Sequence, residues 1–522
     1  MFRKWLPALV LSLLATTMSA VCPAQPAAGR APAGGRTVTA AHPAPGTLFL
    51  HSERIPLKAG GFAEAERGTL YVPVNRSIPD SGVIGLEVYR FKASPGATSG
   101  TPPIFRLYGG PNFLGLAGNL ATPGFYEADI LPYTQIADLV VVSQRGIGPS
   151  KPTTLCDRGP ELPLDAPVSR EAAAAAFQQM AAACKAYWDG QGLDLRGFTV
   201  IEAAADINDA RRAMGYEQIT LWGGSFGSHW GMAIMRFHPE IVARAIFRGM
   251  EGPDHTYDMP SEVLGSLSRM AAAAGQAPEL RGHIPEGGLL QAFKTVIARV
   301  EKEPVKVTVT NPVTGQAQVV LFDAWRVRQL ALGYTGRVAS RRGMQTWPAD
   351  VLTLYRGDFN QAALSLVRPE EGYRTASYFM LDCGSGISPA RETRLNADPA
   401  AAVLGQVNLD YQAACPVWHS DLGNEFRKNV ETTIPTIITY GTWDVSTPQE
   451  NALELAPFFK KSTLVKVNGG SHGSLEDAMK TSATFRRAVM KFAQTGDMSD
   501  VPAQVDLPAI DWVVPKAGTS AR

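Results

Sequence analysis

The feature that most constrains this chain of 522 residues is the stretch at 219–237. Residues 219–222 are mostly apolar and predict a short buried strand, whereas the apolar density of residues 228–237 predicts a buried helix. Between them lies a G-x-S-x-G pattern with Ser225 at its centre. A sharp turn from strand to helix holds such a serine in a strained conformation, and small residues on either side let the two elements approach. Ser225 is therefore the predicted nucleophile.

Apolar runs separated by helical patterns continue on both sides of this stretch. The expected strands cover residues 68–74, 84–91, 104–108, 138–143, 241–248, 436–440 and, as the last strand, 464–467. The expected helices cover residues 169–188 and 199–214. The first two strands should form an antiparallel hairpin. The alternation that follows predicts an α/β fold with a mostly parallel central sheet.

Two residues in turns that follow predicted strands supply an acid and a base. Asp444 follows the strand at 436–440, and His472 follows the strand at 464–467. A serine hydroxyl is a poor nucleophile at neutral pH, so it needs an imidazole that takes its proton and a carboxylate that orients this imidazole. Ser225, Asp444 and His472 have the chain order expected of an α/β-hydrolase, and we predict that they form a catalytic triad.

Other residues could fill two of these roles. His229 and His238 lie near Ser225 in the sequence, but their places within and at the end of the predicted helix favour packing or capping. If Asp444 were only a turn residue bonded to its own backbone, another acid would be needed. The alternative acids are Glu431, Glu450 and Asp421.

The N-terminal residues differ from all that follow. Arg3 and Lys4 precede an apolar run over residues 5–20 that is too short to span a membrane stably, and small residues follow it. We therefore expect an export signal over residues 1–24, which places the protein in the periplasm or outside the cell. Attachment of a lipid at Cys22 and a retained N-terminal anchor are the alternatives.

The rest of the chain divides into a core and an insertion. Helical patterns at 261–274 and 288–301 and a hairpin at 306–310 and 318–321 interrupt the alternation of strands and helices. The expected organisation is a flexible Ala, Pro and Gly linker over 25–45, a hydrolase core over 46–252 and 428–500, a largely helical cap over 253–427, and a C-terminal tail over 501–522.

Four cysteines remain once the predicted signal is removed: Cys156, Cys184, Cys383 and Cys415. An even number is typical of an exported protein, in which disulfides persist. Of the three possible pairings we favour Cys156 with Cys184 and Cys383 with Cys415, because each closes a short loop. The alternative, a metal site, lacks C-x-x-C spacing.

Composition excludes some classes of partner. A formal net charge of +1 with 19% charged and 45% hydrophobic residues is typical of a soluble globular protein. The chain has no basic run and no zinc-type cysteine spacing. We therefore expect no nucleic-acid partner, and no stable membrane span after removal of the signal.

Several motifs occur together in the order and spacing of one peptidase family. They are Tyr108-Gly109-Gly110-Pro111, Gln144-Arg145-Gly146-Ile147-Gly148, Gly223-Gly224-Ser225-Phe226-Gly227, Asp444 with Thr447-Pro448, and Gly470-Ser471-His472-Gly473. From about residue 68 to residue 494 the chain resembles the prolyl iminopeptidase and tripeptidyl aminopeptidase family of α/β-hydrolases. Cys184, Cys383 and Cys415 look like cysteines of its tripeptidyl branch.

The resemblance implies roles for five residues. Ser225 would be the nucleophile, Asp444 and His472 its partners, and the backbone N–H groups of Gly110 and Phe226 would hold the oxyanion. It also implies a serine exopeptidase that needs no metal or cofactor.

The chain departs from the family pattern around the loop that shapes the acyl pocket. The family usually has His, Gly, Asp, and Arg or Ser where this chain has Tyr108, Asn112, Ser143 and Pro149. None of these departures removes a catalytic group, but they leave the substrate preference open.

An aminopeptidase must also bind a free α-ammonium group with a carboxylate, because the charge would otherwise be buried unpaired. Glu251, just after the strand at 241–248, is the expected substrate-binding residue. Asp254, Glu370 and Glu371 are competitors, and each of these acids could instead be solvated or structural.

Three functions are consistent with the sequence. The first is an exported serine aminopeptidase that releases N-terminal proline or short peptides through an acyl-enzyme. The second is a carboxylesterase on the same fold. The substrate is therefore a small peptide under the first function and an ester under the second. The third is an inactive binding protein with a hydrolase fold. A cap lined with apolar groups and lacking an acid for the ammonium would favour the esterase.

Overall fold

The computed structural model of the protein describes residues 43–111, 115–156, 159–333, 340–367 and 375–516. The predicted signal at 1–24, including Cys22, and the linker up to residue 42 lie outside these ranges. So do three residues that the sequence singled out, Asn112, Glu370 and Glu371.

A sheet of ten described strands lies at the centre of the molecule. The strands within the described ranges are β1 (Leu48–Pro56), β2 (Phe62–Pro73), β3 (Val83–Phe91), β4 (Ile104–Leu107), β5 (Leu139–Val142), β6 (Ile219–Gly224), β7 (Val242–Arg248), β8 (Val305–Thr310), β9 (Ala317–Phe322), β10 (Thr436–Gly441), β11 (Ser462–Asn468) and β12 (Gln504–Asp506). The central sheet has the order β1-β2-β3-β5-β4-β6-β7-β10-β11-β12, and β8 and β9 form a separate hairpin.

Most neighbours in the central sheet are parallel. From β5 to β12 every pair is parallel, whereas β1, β2 and β3 run antiparallel to one another and β3 runs antiparallel to β5. Strands β5, β6 and β10 are buried along their whole length, as is typical of a parallel sheet that is covered on both faces. The predicted α/β fold with a mostly parallel sheet is confirmed.

Two edge strands were not predicted. Strand β1 pairs with β2, and β12 pairs with β11 at Lys466 to Asn468. The strand at 464–467 is therefore not the last one, and the predicted tail contains β12. Only Val505 of the three residues in β12 is buried, so backbone pairing rather than an apolar pattern defines this strand.

Helices cover the sheet and build the segment between β7 and β10. They are α1 (Ala117–Leu120), α2 (Phe125–Asp129), α3 (Leu131–Thr134), α4 (Arg170–Gly190), α5 (Val200–Ala213), α6 (Phe226–Phe237), α7 (Pro260–Gln276), α8 (Gly288–Lys302), α9 (Ala324–Gly333), α10 (Arg341–Tyr355), α11 (Asn360–Leu366), α12 (Ala376–Ser385), α13 (Pro389–Asn396), α14 (Ala401–Leu404), α15 (Leu409–Trp418), α16 (Gly423–Arg427), α17 (Gln449–Leu455), α18 (Ser474–Thr481) and α19 (Ala483–Thr495). In the described ranges no helix is long and apolar enough to cross a membrane.

The helical segment between β7 and β10 packs in two parts. Helices α7 to α11 share a hydrophobic cluster with β8 and β9, as Val296, Phe322 and Trp347 illustrate. Phe379 of α12 and Trp418 of α15 instead belong to the cluster that fills the sheet side of the molecule. The second part of the predicted cap therefore packs directly on the core.

Two disulfides fasten helices that pack beside the sheet. Cys156 bonds to Cys184 of α4, and Cys383 of α12 bonds to Cys415 of α15. These are the two pairings that loop length favours. The second disulfide joins two helices whose importance for the site is described below.

Arg145, from the Gln-Arg-Gly motif, has a structural role. Its side chain is 0% exposed, and its Nε lies 2.8 Å from Asp206 Oδ2 on α5. Its Nη1 donates to the carbonyl oxygen of Val74 at 2.7 Å. Because a buried guanidinium needs charged and polar partners, Arg145 fastens α5 to the chain that follows β2.

Replacement of Arg145 should destabilise the fold. We expect Arg145→Met to lower the free energy of unfolding by about 3 kcal/mol, because Asp206 loses a buried partner and Val74 a donor. Urea denaturation followed by circular dichroism measures the change. Arg196→Met, which removes an exposed pair with Asp194, should leave the midpoint nearly unchanged. Equal midpoints for the two variants would contradict a structural role for Arg145.

Candidate active site

Ser225 lies in the sharp turn between β6 and α6. Its backbone has φ 58° and ψ −136°, which is strained for a residue with a side chain. Its N–H donates to Gly249 O at 3.0 Å. A Cβ atom on Gly227 would lie 2.1 Å from Leu107 O, and one on Gly223 would lie 2.4 Å from Gly227 O. The two outer glycines of the motif are therefore required by the close packing of β4, β6 and α6.

His472 and Asp444 are in direct contact. His472 Nδ1 lies 3.0 Å from Asp444 Oδ2, and because a carboxylate only accepts, Nδ1 carries the proton and Nε2 can take one. Asp444 also accepts hydrogen bonds from Thr447, at 3.0 Å from its N–H and 2.8 Å from its hydroxyl. Burial alone would raise the pKa of Asp444, but His472 and these hydrogen bonds outweigh it and hold the pKa below its ordinary value.

Gly249 lies between Ser225 and His472. Its carbonyl accepts the Ser225 N–H, and a Cβ on Gly249 would lie 3.0 Å from His472 Cε1 and 2.7 Å from Thr447 Oγ1. Ser225 Oγ forms no hydrogen bond with any residue that the structure describes. The fold thus joins the predicted base to the predicted acid and places the predicted nucleophile near them. The hydrogen bond from serine to imidazole is not formed, and such a bond often tightens only when substrate binds.

Both predicted oxyanion donors lie near Ser225, the predicted nucleophile. Phe226 is the first residue of α6, so its N–H is one of the helix N–H groups that have no acceptor inside the helix. Gly110 lines the same cavity as Ser225. Gln144 holds the Gly110 loop, since its Nε2 donates to the carbonyl of Tyr108 at 3.0 Å. Within the Gln-Arg-Gly motif, Arg145 thus has a structural role, and Gln144 orders the loop that contains Gly110.

A cavity of about 380 Å³ opens beside Ser225. Its described lining contains four acidic residues, Glu251, Asp258, Asp382 and Asp410, and no Lys or Arg. Glu251 was predicted, and its N–H donates to Ser228 Oγ in the first turn of α6 at 3.0 Å. The other three were missed, because they come from the loop before α7, from α12 and from α15, and no local pattern relates them.

Two of these carboxyl groups lack a compensating partner. Neither the Glu251 nor the Asp258 side chain has a hydrogen-bond or ion-pair partner in the described part of the chain. Burial, with the charges of Asp382 and Asp258, raises the pKa of Glu251 well above its ordinary value. Burial raises the pKa of Asp258 to about 8, although Arg391 opposes it. A bound cation would favour the ionised form of both groups.

Three of the four departures from the family pattern have described positions, and none of these three lines the cavity. The lining does not include Tyr108, Ser143 or Pro149. Ser143 Oγ accepts a hydrogen bond from the N–H of Glu87 at 2.9 Å and lies 3.0 Å from Ser150 Oγ. Ser143 therefore orders the turn after β5 and does not face the cavity.

The alternative bases have other functions. His229 Nδ1 donates to Gly252 O at 3.0 Å, and its Nε2 lies 2.8 Å from Ser385 Oγ. Burial lowers the pKa of His229 to about 4, so this ring is a neutral packing group. His238 follows α6, with its Nδ1 3.4 Å from Asn208 Nδ2.

The alternative acids and Asp254 are likewise engaged elsewhere. Each has its own partner, Asp421 with Arg427, Glu431 with Lys460, Glu450 with Arg269, and Asp254 with the N–H and hydroxyl of Ser388. Among the residues with described positions, no group of three His, Cys, Asp or Glu side chains could hold a metal ion.

Two family models match the chain. The alpha/beta hydrolase fold family matches residues 102–292, and the family described as TAP-like protein matches residues 401–504. The first range contains Ser225, and the second contains Asp444 and His472. The matches thus show an alpha/beta hydrolase fold with a C-terminal TAP-like domain.

Solved structures of low sequence identity are similar to the chain. A proline iminopeptidase-related protein from Thermus thermophilus is 17% identical, with 83% of this chain and 99% of that chain covered and a TM-score of 0.34. A thermophilic esterase from Thermogutta terrifontis is 12% identical, with coverages of 82% and 99% and a TM-score of 0.34. An esterase from Exiguobacterium antarcticum is 13% identical, with coverages of 79% and 96% and a TM-score of 0.34. No curated protein matches the chain.

A side chain at Gly249 should displace the imidazole. We expect Gly249→Ala to lower kcat/KM about 100-fold, because its Cβ would press on His472 and Thr447. Gly215→Ala is the matched control, since Gly215 also has a positive φ, 76° against 51°, but nothing within 4 Å. Steady-state kinetics together with thermal melts separates a loss of activity from a loss of stability. A Gly249→Ala enzyme as active as the Gly215→Ala enzyme would contradict this geometry.

Proposed function

We propose that this protein is an exported serine aminopeptidase that cleaves short peptides with a free N-terminus through an acyl-enzyme. Ser225 is its nucleophile, His472 its general base and Asp444 the acid that orients the imidazole. The observation that carries the proposal is the pair of partnerless carboxyl groups, on Glu251 and Asp258, in the cavity that Ser225 lines.

The acyl transfer follows from these positions. Ser225 Oγ attacks the scissile carbonyl as its proton passes to His472 Nε2, and the developing imidazolium is stabilised by Asp444. The oxyanion accepts hydrogen bonds from the N–H groups of Phe226 and Gly110. His472 then protonates the leaving amine, and it later activates the water that hydrolyses the acyl-enzyme.

The acidic cavity favours a cationic substrate end. A free α-ammonium group has three donors and one positive charge, and Glu251 and Asp258 offer the acceptors and the opposite charge. Thr256 supports this interpretation, because it lines the same cavity, is only 7% exposed, and its Oγ1 has no partner among the described residues. An esterase with a neutral substrate would leave these buried polar groups uncompensated.

The cap supports an exopeptidase. Trp325 of α9, Asp382 of α12 and Tyr411 of α15 line the cavity together with Ser225, so helices of the segment between β7 and β10 form part of its wall. We propose that a wall of this kind restricts entry to the end of a peptide. The TAP-like match agrees with a peptidase, and prolyl or short peptidyl units are the proposed products.

Export is proposed on two grounds. Residues 1–24 have the charge and hydropathy pattern of a signal peptide. The two disulfides, Cys156–Cys184 and Cys383–Cys415, persist in an oxidising compartment rather than in the cytosol. We therefore assign the protein to the periplasm or the medium.

A substrate panel tests the proposed activity. The mature protein is assayed with chromogenic proline, alanine and tripeptide amides, with the same amides N-acetylated, and with simple acyl esters, each against Ser225→Ala. Turnover of the free amides only, abolished in Ser225→Ala and in His472→Ala, is the expected result. Turnover of esters alone would make the protein a carboxylesterase. Lack of reaction with a fluorophosphonate would point to an inactive binding protein.

The acidic pair should act on substrate binding. We expect Glu251→Gln and Asp258→Asn each to raise KM for free-amine amides about 10-fold or more, because a charge-assisted hydrogen bond to the ammonium is lost. Esters without an amine should change little. Asp254→Asn, an acid of the same loop that binds Ser388, is the matched control. An equal increase in KM for amides and for esters would contradict an ammonium-binding site at these residues.

The pH dependence should reflect the same pair. Asp258 is protonated below its raised pKa of about 8, whereas the α-ammonium of the substrate loses its charge above a pKa of about 8. We therefore expect kcat/KM for free-amine amides to rise toward pH 8 and to fall above it. In Asp258→Asn the rise should move to lower pH, because Glu251 is no longer repelled by a second carboxylate. An unshifted profile would contradict the assignment of Asp258.

A further inference from the structure

We infer that Arg248 is a positioning residue that holds the nucleophile turn and the histidine loop at a fixed separation. The inference rests on the proposed roles of Ser225 and His472. Arg248 does not line the substrate cavity, and no motif in the sequence singles it out, since its only mark is its place at the end of a predicted strand.

Arg248 contacts both halves of the proposed triad through their backbones. As the last residue of β7, it accepts the N–H of Ser225 on its carbonyl oxygen at 3.2 Å. Its Nη1 donates to the carbonyl oxygen of His472 at 2.7 Å. One residue at the end of β7 therefore joins the turn that holds Ser225 to the loop that holds His472.

A second contact orients the guanidinium. Arg248 Nε lies 2.8 Å from Glu476 Oε2 in the first turn of α18. Burial would raise the pKa of Glu476, but the charges of Arg248 and Arg106 outweigh it and keep the pKa below its ordinary value. Because a planar guanidinium can form an ion pair with a carboxylate while one of its N–H groups donates to a carbonyl, this ion pair helps to fix the group that holds His472.

The turn itself makes room for this side chain. A Cβ on Gly224 would lie 2.8 Å from Cγ and from Cζ of Arg248. Gly224 occupies the variable position before the serine in G-x-S-x-G, where the motif does not demand glycine. The absence of a side chain at Gly224 is therefore explained by the passage of Arg248 across the turn.

This bridge matters because Ser225 and His472 are not hydrogen-bonded to each other in this structure. Their separation depends on how the two segments are held, and a misplacement of about 1 Å is enough to cost on the order of 100-fold in rate. Arg248 should therefore affect the attack by Ser225 and not the binding of substrate.

The test compares Arg248→Met and Arg248→Lys with Arg244→Met. Arg244 lies on the same strand and donates to the carbonyl of Ala493 at 2.9 Å, so its loss removes a similar contact away from the site. The readouts are the rate constant of labelling by a fluorophosphonate, kcat and KM for an acyl ester without an amine, and the melting temperature. Labelling reports the nucleophile without use of the acidic cavity.

We expect Arg248→Met to lower the labelling rate and kcat about 10- to 100-fold while KM stays within about 2-fold. Arg248→Lys should recover part of this loss, because an ammonium can still donate to the His472 carbonyl but lacks the fork that also binds Glu476. Arg244→Met should keep the labelling rate of the unmodified enzyme.

Three outcomes would overturn the inference. They are labelling of folded Arg248→Met at the unmodified rate, a loss confined to KM, and parallel losses of rate and melting temperature in Arg248→Met and Arg244→Met. These failures differ from a failure of the proposed function. An enzyme that turns over esters but no free-amine amides would refute the aminopeptidase and leave the bridge testable, whereas an unmodified protein that does not label would refute the nucleophile itself.

Discussion

The close approach of α6 to β4 and β6 is the constraint on which the rest of the site depends. It leaves no space for side chains at Gly223 and Gly227, and it forces Ser225 into a positive φ. Such strain persists only where the surroundings over-determine the conformation. Here the surroundings are buried parallel strands, whose backbone N–H and C=O groups are hydrogen-bonded within the sheet. The strained conformation is therefore confined to Ser225, whose hydroxyl has to project from the turn.

Burial disfavours the ionised form of every buried carboxyl group, and the partners of each group decide the net result. Asp444 is buried but receives hydrogen bonds from Thr447 and the charge of His472, so its ionised form is favoured. Glu251 and Asp258 are desolvated without such partners, so their ionised forms are disfavoured. In the same low dielectric, Asp444 has its partners within the protein, whereas Glu251 and Asp258 are proposed to gain theirs from a cationic substrate.

The sequence predicted what local patterns encode and missed what tertiary packing creates. The strand and helix around Ser225 carry their own periodicity, and the turns at Asp444 and His472 follow recognisable strands, so the core and the proposed triad could be read from the chain. Strand β12 could not, because pairing with β11 defines it. Asp258, Asp382 and Arg248 were missed for the same reason, since each gains its importance from residues distant in sequence. Glu251 was predicted only because it comes shortly after the end of a strand of the parallel sheet.

The origin of each group suggests how such a protein can change its substrate. Ser225, His472 and Glu251 follow strands of the sheet, whereas Asp382 and Asp410 belong to α12 and α15, which the Cys383–Cys415 disulfide joins. Because the sheet positions the reacting groups and these two helices form part of the cavity wall, substitutions on the helices alter the charge and shape of the cavity while the strained turn stays intact. A tether between the two helices limits their separation, and a cavity with the proposed task of binding one cationic end in preference to another needs walls that do not yield.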